Sequence, residues 1–149
     1  SGFAIIVRRN RQIDMLPKPA GPRLPLLITG GSQQSPDWVA QNGDGWITYP
    51  RDIASQGRVV ADYRARLRVA ELPDKPVMQS LYLDLHDDPD APARPLHLGF
   101  RSGTEVLRRY LRELEALGVN HVALNLRFNQ APIDRTLKRL AENLLPDFT

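Results

Sequence analysis

The residues best suited to chemistry are Thr29-Gly30-Gly31-Ser32-Gln33-Gln34, which follow an apolar run, Leu24 to Ile28, and lead into Ser35-Pro36. Glycines let a backbone approach a ligand closely, and unpaired N–H groups at the start of a helix attract an anion such as a phosphate. A tight turn before a helix capped by Ser35 would use the same residues, so spacing alone leaves a phosphate cradle and a plain turn both open. A second candidate group is Thr48, Tyr49 and Arg51, where another strand pattern ends in polar residues. Ligands of parallel α/β proteins sit at the carboxyl ends of strands, which makes these three candidates to face a small-molecule substrate. The alternative leaves Arg51 in solvent and Tyr49 packed on the rim.

Other chemistries find less support. His86, His97 and His121 do not fall into metal-ligand spacing, and His97 and His121 are expected in structural hydrogen bonds. Asp84, His86, Asp87, Asp88 and Asp90 form an acidic cluster, which the neighbouring prolines mark as a solvated loop. No nucleophile elbow, Walker loop or full dinucleotide fingerprint occurs. With no cysteine there is no disulfide framework and no thiolate site, and the cytoplasm is the expected compartment. The net charge of +3 comes from arginines spread along the chain rather than gathered on one face, which argues against a nucleic-acid surface. No apolar run approaches the roughly 18 residues of a membrane span. The opening Ser1 to Val7 is too short for a signal peptide and has no initiator methionine, as expected of a chain that begins at a cut end.

The elements that must position these residues can be read from periodicity. Residues 1–23 read as an N-terminal segment and a connector, extended from Arg8 to Arg23 because of Pro17, Pro19 and Pro22; residues 24–149 form one α/β region. Buried strands are expected at Leu24–Thr29, Trp46–Tyr49, Ser80–Leu85 and His121–Leu126. Helices fall between them: one from Ser35-Pro36 to Gly43, one capped by Asp52, one stopped by Gly118, and a last one carrying Ile133, Leu137, Leu140 and Leu144. Ser102 and Glu105 have capping-box spacing, with Leu96 to Phe100 leading into that helix. Such alternation predicts parallel strands joined by right-handed crossovers, as an open sheet or part of a barrel.

Leu26-Leu27-Ile28-Thr29-Gly30-Gly31-Ser32-Gln33-Gln34-Ser35, with Asp44-Gly45-Trp46-Ile47 and Tyr49-Pro50-Arg51, resembles the luciferase-like monooxygenases. Leu16-Pro17-Lys18-Pro19, Gly118 to Leu126 and the ending Leu144 to Phe148 are similar to other stretches of that family, so the resemblance covers roughly residues 13–148. It implies a (β/α)8 TIM barrel that binds FMN, or in some branches a deazaflavin, for monooxygenation or hydride transfer. It also implies cofactor contacts from Thr29, Gly30, Gly31, Ser32 and Gln33, with Thr48, Tyr49 and Arg51 near the substrate mouth. A full barrel takes about 250 residues and eight strands, whereas four strands are legible here, as in a C-terminal half. The expectation is a flavin-dependent oxidoreductase that needs an N-terminal half or an oligomeric partner. The alternatives are a non-catalytic half-barrel fragment or assembly module, and an open-sheet phosphate-binding domain.

Overall fold

In the computed structural model, residues 5–9 and 12–148 are described, with side chains from residue 17 onward; residues 1–4, 10 and 11 of the N-terminal segment read above, and residue 149 of the α/β region, lie outside. The first element is a hairpin of β1 (Ile5–Arg9) and β2 (Gln12–Leu16), paired antiparallel from Ile5↔Leu16 to Arg9↔Gln12. This corrects the expected connector: Arg8 and Arg9 and residues 12–16 are strand, and the irregular stretch starts at Pro17. The prolines that signalled extension all lie beyond the hairpin, in 17–23.

Four parallel strands then come in the predicted order. They are β3 (Leu27–Thr29), β4 (Gly45–Thr48), β5 (Val77–Leu85) and β8 (His121–Asn125), running side by side as β3-β4-β5-β8. Between them lie α1 (Pro36–Asn42), α2 (Ile53–Val69) and α3 (Thr104–Leu117), and α4 (Ile133–Asn143) closes the series. Ser35 accepts from the Trp38 amide and Asp52 from the Ser55 amide, so both expected caps form. Gly118 ends α3 in the left-handed conformation.

Two strand starts moved by three residues, while β4 and β8 differ from expectation by a single residue at an end, which leaves Tyr49 and Leu126 outside the strands. The third strand starts at Val77, right after Pro76, instead of at Ser80, because the side chain of Gln79 finds polar partners inside the fold. The first shortens to Leu27–Thr29, since Pro25 has no N–H for the ladder.

A feature unforeseen from periodicity is β6 (Arg94–Leu96) turning back on β7 (Gly99–Ser102). β7 runs parallel to Tyr82–Leu85 on the side of β5 whose first residues, Val77–Gln79, pair with β4. Gly99 permits this approach, because a Cβ there would stand 1.8 Å from the Tyr82 carbonyl oxygen. The pairing also overturns the capping box. Ser102 is held in the ladder, where its carbonyl accepts from His86, so Gly103 becomes the N-cap and makes no side-chain cap. Glu105 turns to Arg108 instead.

Alternation along β5 sorts its two faces. Val77, Gln79, Leu81, Leu83 and Leu85 are buried beneath the helices, where Leu107, Leu114, Leu140, Val60 and Leu67 pack. Each fully buried leucine contributes roughly 1.5–3 kcal/mol. The opposite face carries Met78, Ser80 and Tyr82, all half-buried, with Tyr82 against Phe128 at 5.0 Å between ring centres. No described helix is long and apolar enough to cross a membrane.

Candidate cofactor-binding site

The loop after β3 is tied to β4 by main-chain and indole groups. The Gly30 amide donates to the Ile47 carbonyl and the Trp46 indole Nε1 donates to the Gly30 carbonyl, each at 2.8 Å. Gly30 has φ +55° and a Cβ there would meet the Tyr49 ring at 3.2 Å, so glycine is needed both for the turn and for the aromatic ring beside it. Ser32 and Gln33 are also left-handed, with φ 46° and 60°. Such residues cost about 1–2 kcal/mol each. The Ser32 hydroxyl holds the turn by donating to the Thr29 carbonyl at 2.8 Å, and the Gln34 amide closes it on Gly31 at 2.7 Å. Among the described residues, the amides of Gly31, Ser32 and Gln33 have no acceptor.

Thr48, Tyr49 and Arg51 end in different surroundings. Thr48 is fully buried on the helix side of the sheet, and Tyr49 is 44% exposed. Arg51 joins the two: its Nη1 donates to Thr48 Oγ1 at 2.5 Å, and to the Tyr49 carbonyl and Gln56 Oε1 at 3.1 Å each. Gln56 Nε2 passes the chain on to Gln79 Oε1 at 2.7 Å, and Gln79 Nε2 donates to the Tyr110 hydroxyl at 2.9 Å. Burial raises the Tyr110 phenol above its ordinary pKa, and the Gln79 hydrogen bond pulls it partly back. Thr48 thus reaches the mouth of the sheet only through Arg51.

Gly30, Gly31 and Arg51 border a cavity of about 150 Å³ between α1 and α2, floored by Trp46 and Tyr63 stacked at 5.2 Å. Arg66 stands on its rim, held by Asp62 and Asp37 at 2.8 Å each. Both carboxylates raise the Arg66 pKa further above its ordinary value. Of the expected cofactor residues, Thr29, Ser32 and Gln33 form the exposed crest of the loop beside this cavity. Spacing did not single out Trp46, Gln56, Gln79 and Tyr110 as site supports. The available signal was Gln79, a polar residue in the apolar alternation of β5.

The acidic cluster is not simply a solvated loop. Asp87, Asp88 and Asp90 are exposed, but Asp84 is 1% exposed and faces Arg101. His86 Nδ1 accepts from the Asp88 amide at 3.0 Å, and His97 lies 6.2 Å from the Tyr82 ring. No group of three or more metal-ligating side chains comes together among the described residues.

No family model matches the chain. Uncharacterized proteins of Mycobacterium bovis and of two strains of Mycobacterium tuberculosis are each 37% identical to it over 94 residues, 61% of this chain. The match spans 30% of the length of each relative. Among solved structures, an F420-dependent secondary alcohol dehydrogenase, in complex with an F420-acetone adduct, superposes with a TM-score of 0.56 at 12% identity. That superposition covers 83% of this chain and 50% of the dehydrogenase. At such identity the likeness speaks for architecture, and it agrees with the strand order: the chain is a mixed α/β half-barrel of mainly parallel strands.

Proposed function

We propose that this chain is the C-terminal half of a luciferase-like (β/α)8 barrel and forms one wall of a flavin site in an oxidoreductase. Thr29, Gly30, Gly31, Ser32 and Gln33 contact the cofactor, with the free amides of Gly31 to Gln33 turned to its phosphate or side chain. Tyr49 and Arg51 border the substrate mouth, and Thr48, buried beneath them rather than facing the ligand, holds Arg51 in place. The observation that carries this reading is the loop itself: three exposed amides with no acceptor among the described residues, at the carboxyl end of a parallel strand, on a turn kept in a costly conformation by Ser32 and Gly30.

The residues fit such a group in part. A cavity of about 150 Å³ holds a phosphoryl or ribityl portion and not a whole flavin, for which pockets of roughly 300–1,000 Å³ are usual. The rest of the ring site belongs to the other half of the barrel, in this chain's longer form or in a partner. The bound flavin supplies the redox chemistry, and this chain's part is to bind and orient it. The dehydrogenase of similar fold acts with F420, which favours a deazaflavin over FMN, and the alternative remains FMN.

The test titrates the barrel, completed by its N-terminal half, with FMN and with F420 while following cofactor fluorescence. Saturable quenching by one of them is expected. Gly30→Ala, which strains the turn and displaces Tyr49, should weaken that binding at least about tenfold. Absence of quenching by both cofactors would refute the flavin reading.

A second reading, a non-catalytic assembly module, draws on apolar side chains left open outside the core: Leu27 is 40% and Phe128 41% exposed. Light scattering separates the two, since obligate self-association without cofactor binding supports only the module.

A further inference from the structure

At the other end of the sheet mouth a cavity of about 300 Å³ opens where β5, β7 and the segment after β8 meet, bordered by Asp84, His86, Asp87, Arg101, Gln130 and Arg135. Ligands of parallel α/β folds sit at such carboxyl ends of strands. Register makes Asp84 and Arg101 direct neighbours on β5 and β7. The Asp84 side chain is only 2% exposed: its Oδ1 accepts from the Gln130 amide at 3.0 Å, and its Oδ2 faces Arg101 Nε at 3.4 Å. Both facing atoms are buried, so the contact between them is closed to any ligand.

The outer part of Arg101 is open. Its side chain is 36% exposed, and neither Nη1 nor Nη2 is among the buried groups or has an acceptor among the described residues. The carboxylates nearby are already engaged. Asp84 is turned to Nε, while Asp87 pairs with Arg135 at 2.9 Å and lies 3.7 Å from Arg139. Asp88 and Asp90 are exposed and do not border the cavity. A guanidinium fixed by its inner N–H against a buried carboxylate has given up much of its rotamer freedom before a ligand arrives, and its two outer groups keep the fork that matches an oxyanion. A second donor stands on the same lining. His86 Nδ1 accepts from the Asp88 amide at 3.0 Å, which puts the proton of the neutral ring on Nε2, and Nε2 has no acceptor among the described residues.

We propose that this cavity binds a small-molecule oxyanion, a carboxylate or phosphate end, on the outer Nη edge of Arg101, with His86 Nε2 as a second donor and Asp84 as the positioning residue behind the guanidinium. It needs neither the loop at Gly30 nor a cofactor, so its success or failure is separate from that of the flavin reading.

The experiment follows the Arg101 Nε–H and the His86 and Gln130 amide resonances of the isotope-labelled protein during titration with phenyl phosphate, benzoate, benzamide, benzamidine and perchlorate. Phenyl phosphate or benzoate should shift these signals saturably, with a Kd of about 1 mM, a usual fragment affinity. Phenyl phosphate alone assigns a phosphate as the source of the oxyanion, benzoate alone a carboxylate, and either supports the site. Neutral benzamide, cationic benzamidine and perchlorate, a poor hydrogen-bond acceptor, should bind at least about tenfold more weakly. Arg101→Lys keeps the charge beside Asp84 but removes the fork, and should weaken binding at least about tenfold. Asp84→Asn should also weaken binding, although it removes a negative charge from beside the anion; a site that worked by net charge alone would bind more tightly. No saturable shift with either oxyanion, perchlorate binding as tightly, undiminished binding by Arg101→Lys, or tighter binding by Asp84→Asn overturns the proposal. The selectivity of the wild-type protein among the five ligands decides the matter if a variant fails to fold.

Discussion

The two ends of the sheet mouth are built by opposite means. At β3 and β4 the strands are three and four residues long, the loop from β3 into α1 is largely exposed, and its shape comes from main-chain bonds plus single donors from Trp46 and Ser32. At β5 and β8 the central strand runs nine residues, and side chains clamp the segment that leads from β8 into α4. Asn129 Oδ1 accepts from the Leu85 amide at 3.0 Å, while its Nδ2 donates to the Ala131 carbonyl and to Thr136 Oγ1 at 2.9 Å each. The difference teaches where ligand contacts come from. The first end offers backbone amides that the fold leaves unused, and the second offers fixed side chains whose charges are incompletely met.

That contrast can be broken at the clamped end with the largest effect. Gly99→Ala places a Cβ against the Tyr82 main chain and forces β7 off β5, so urea unfolding should show a loss on the order of 4 kcal/mol. A loss under about 1 kcal/mol would show that this end is not over-determined. Next is the relay that ties Arg51 to the core. Gln56→Ala strips Gln79 Oε1 of its donor and Arg51 of one acceptor, at a cost of about 2 kcal/mol in the same assay. An unchanged midpoint would mean that Arg51 stands without the relay.

The smallest effect belongs to the entry of the loop end. Asp44 is held at about 2 by the Arg23 hydrogen bonds and then by the Leu26 amide, below its ordinary 3.8. Because the folded value is the lower one, the stabilisation is fully present above about pH 4 and is lost as pH falls through about 2. Asp44→Asn should therefore flatten the acid limb of a stability-versus-pH curve between those values. An acid limb identical to wild type would show that Asp44 does not hold this end.

Much of this arrangement was legible from the residues alone. The four parallel strands, the caps at Ser35 and Asp52 and the stop at Gly118 obey local rules, because a cap or a left-handed glycine depends on neighbours within a few residues. The β6–β7 hairpin was missed because Leu96 to Phe100 reads equally well as a lead-in to a helix, and only Tyr82, some 17 residues earlier in the chain, makes Gly99 a strand residue. Thr29 to Gln33 stood out by their glycines, whereas Gln56 and Tyr110 did not, since their partner Gln79 lies 23 and 31 positions away.

By itself, then, the sequence determined the alternation of strands and helices and the turn that begins at Gly30, both products of short-range periodicity and backbone sterics. Only the tertiary structure decided which side chains meet at the carboxyl ends of the strands. It took Asp84 from an apparently solvated cluster and buried it against Arg101, and it turned Thr48 inward to hold Arg51. The physical reason is that a strand's pleat sends alternate residues to opposite faces, and which face is covered is set by helices encoded far along the chain.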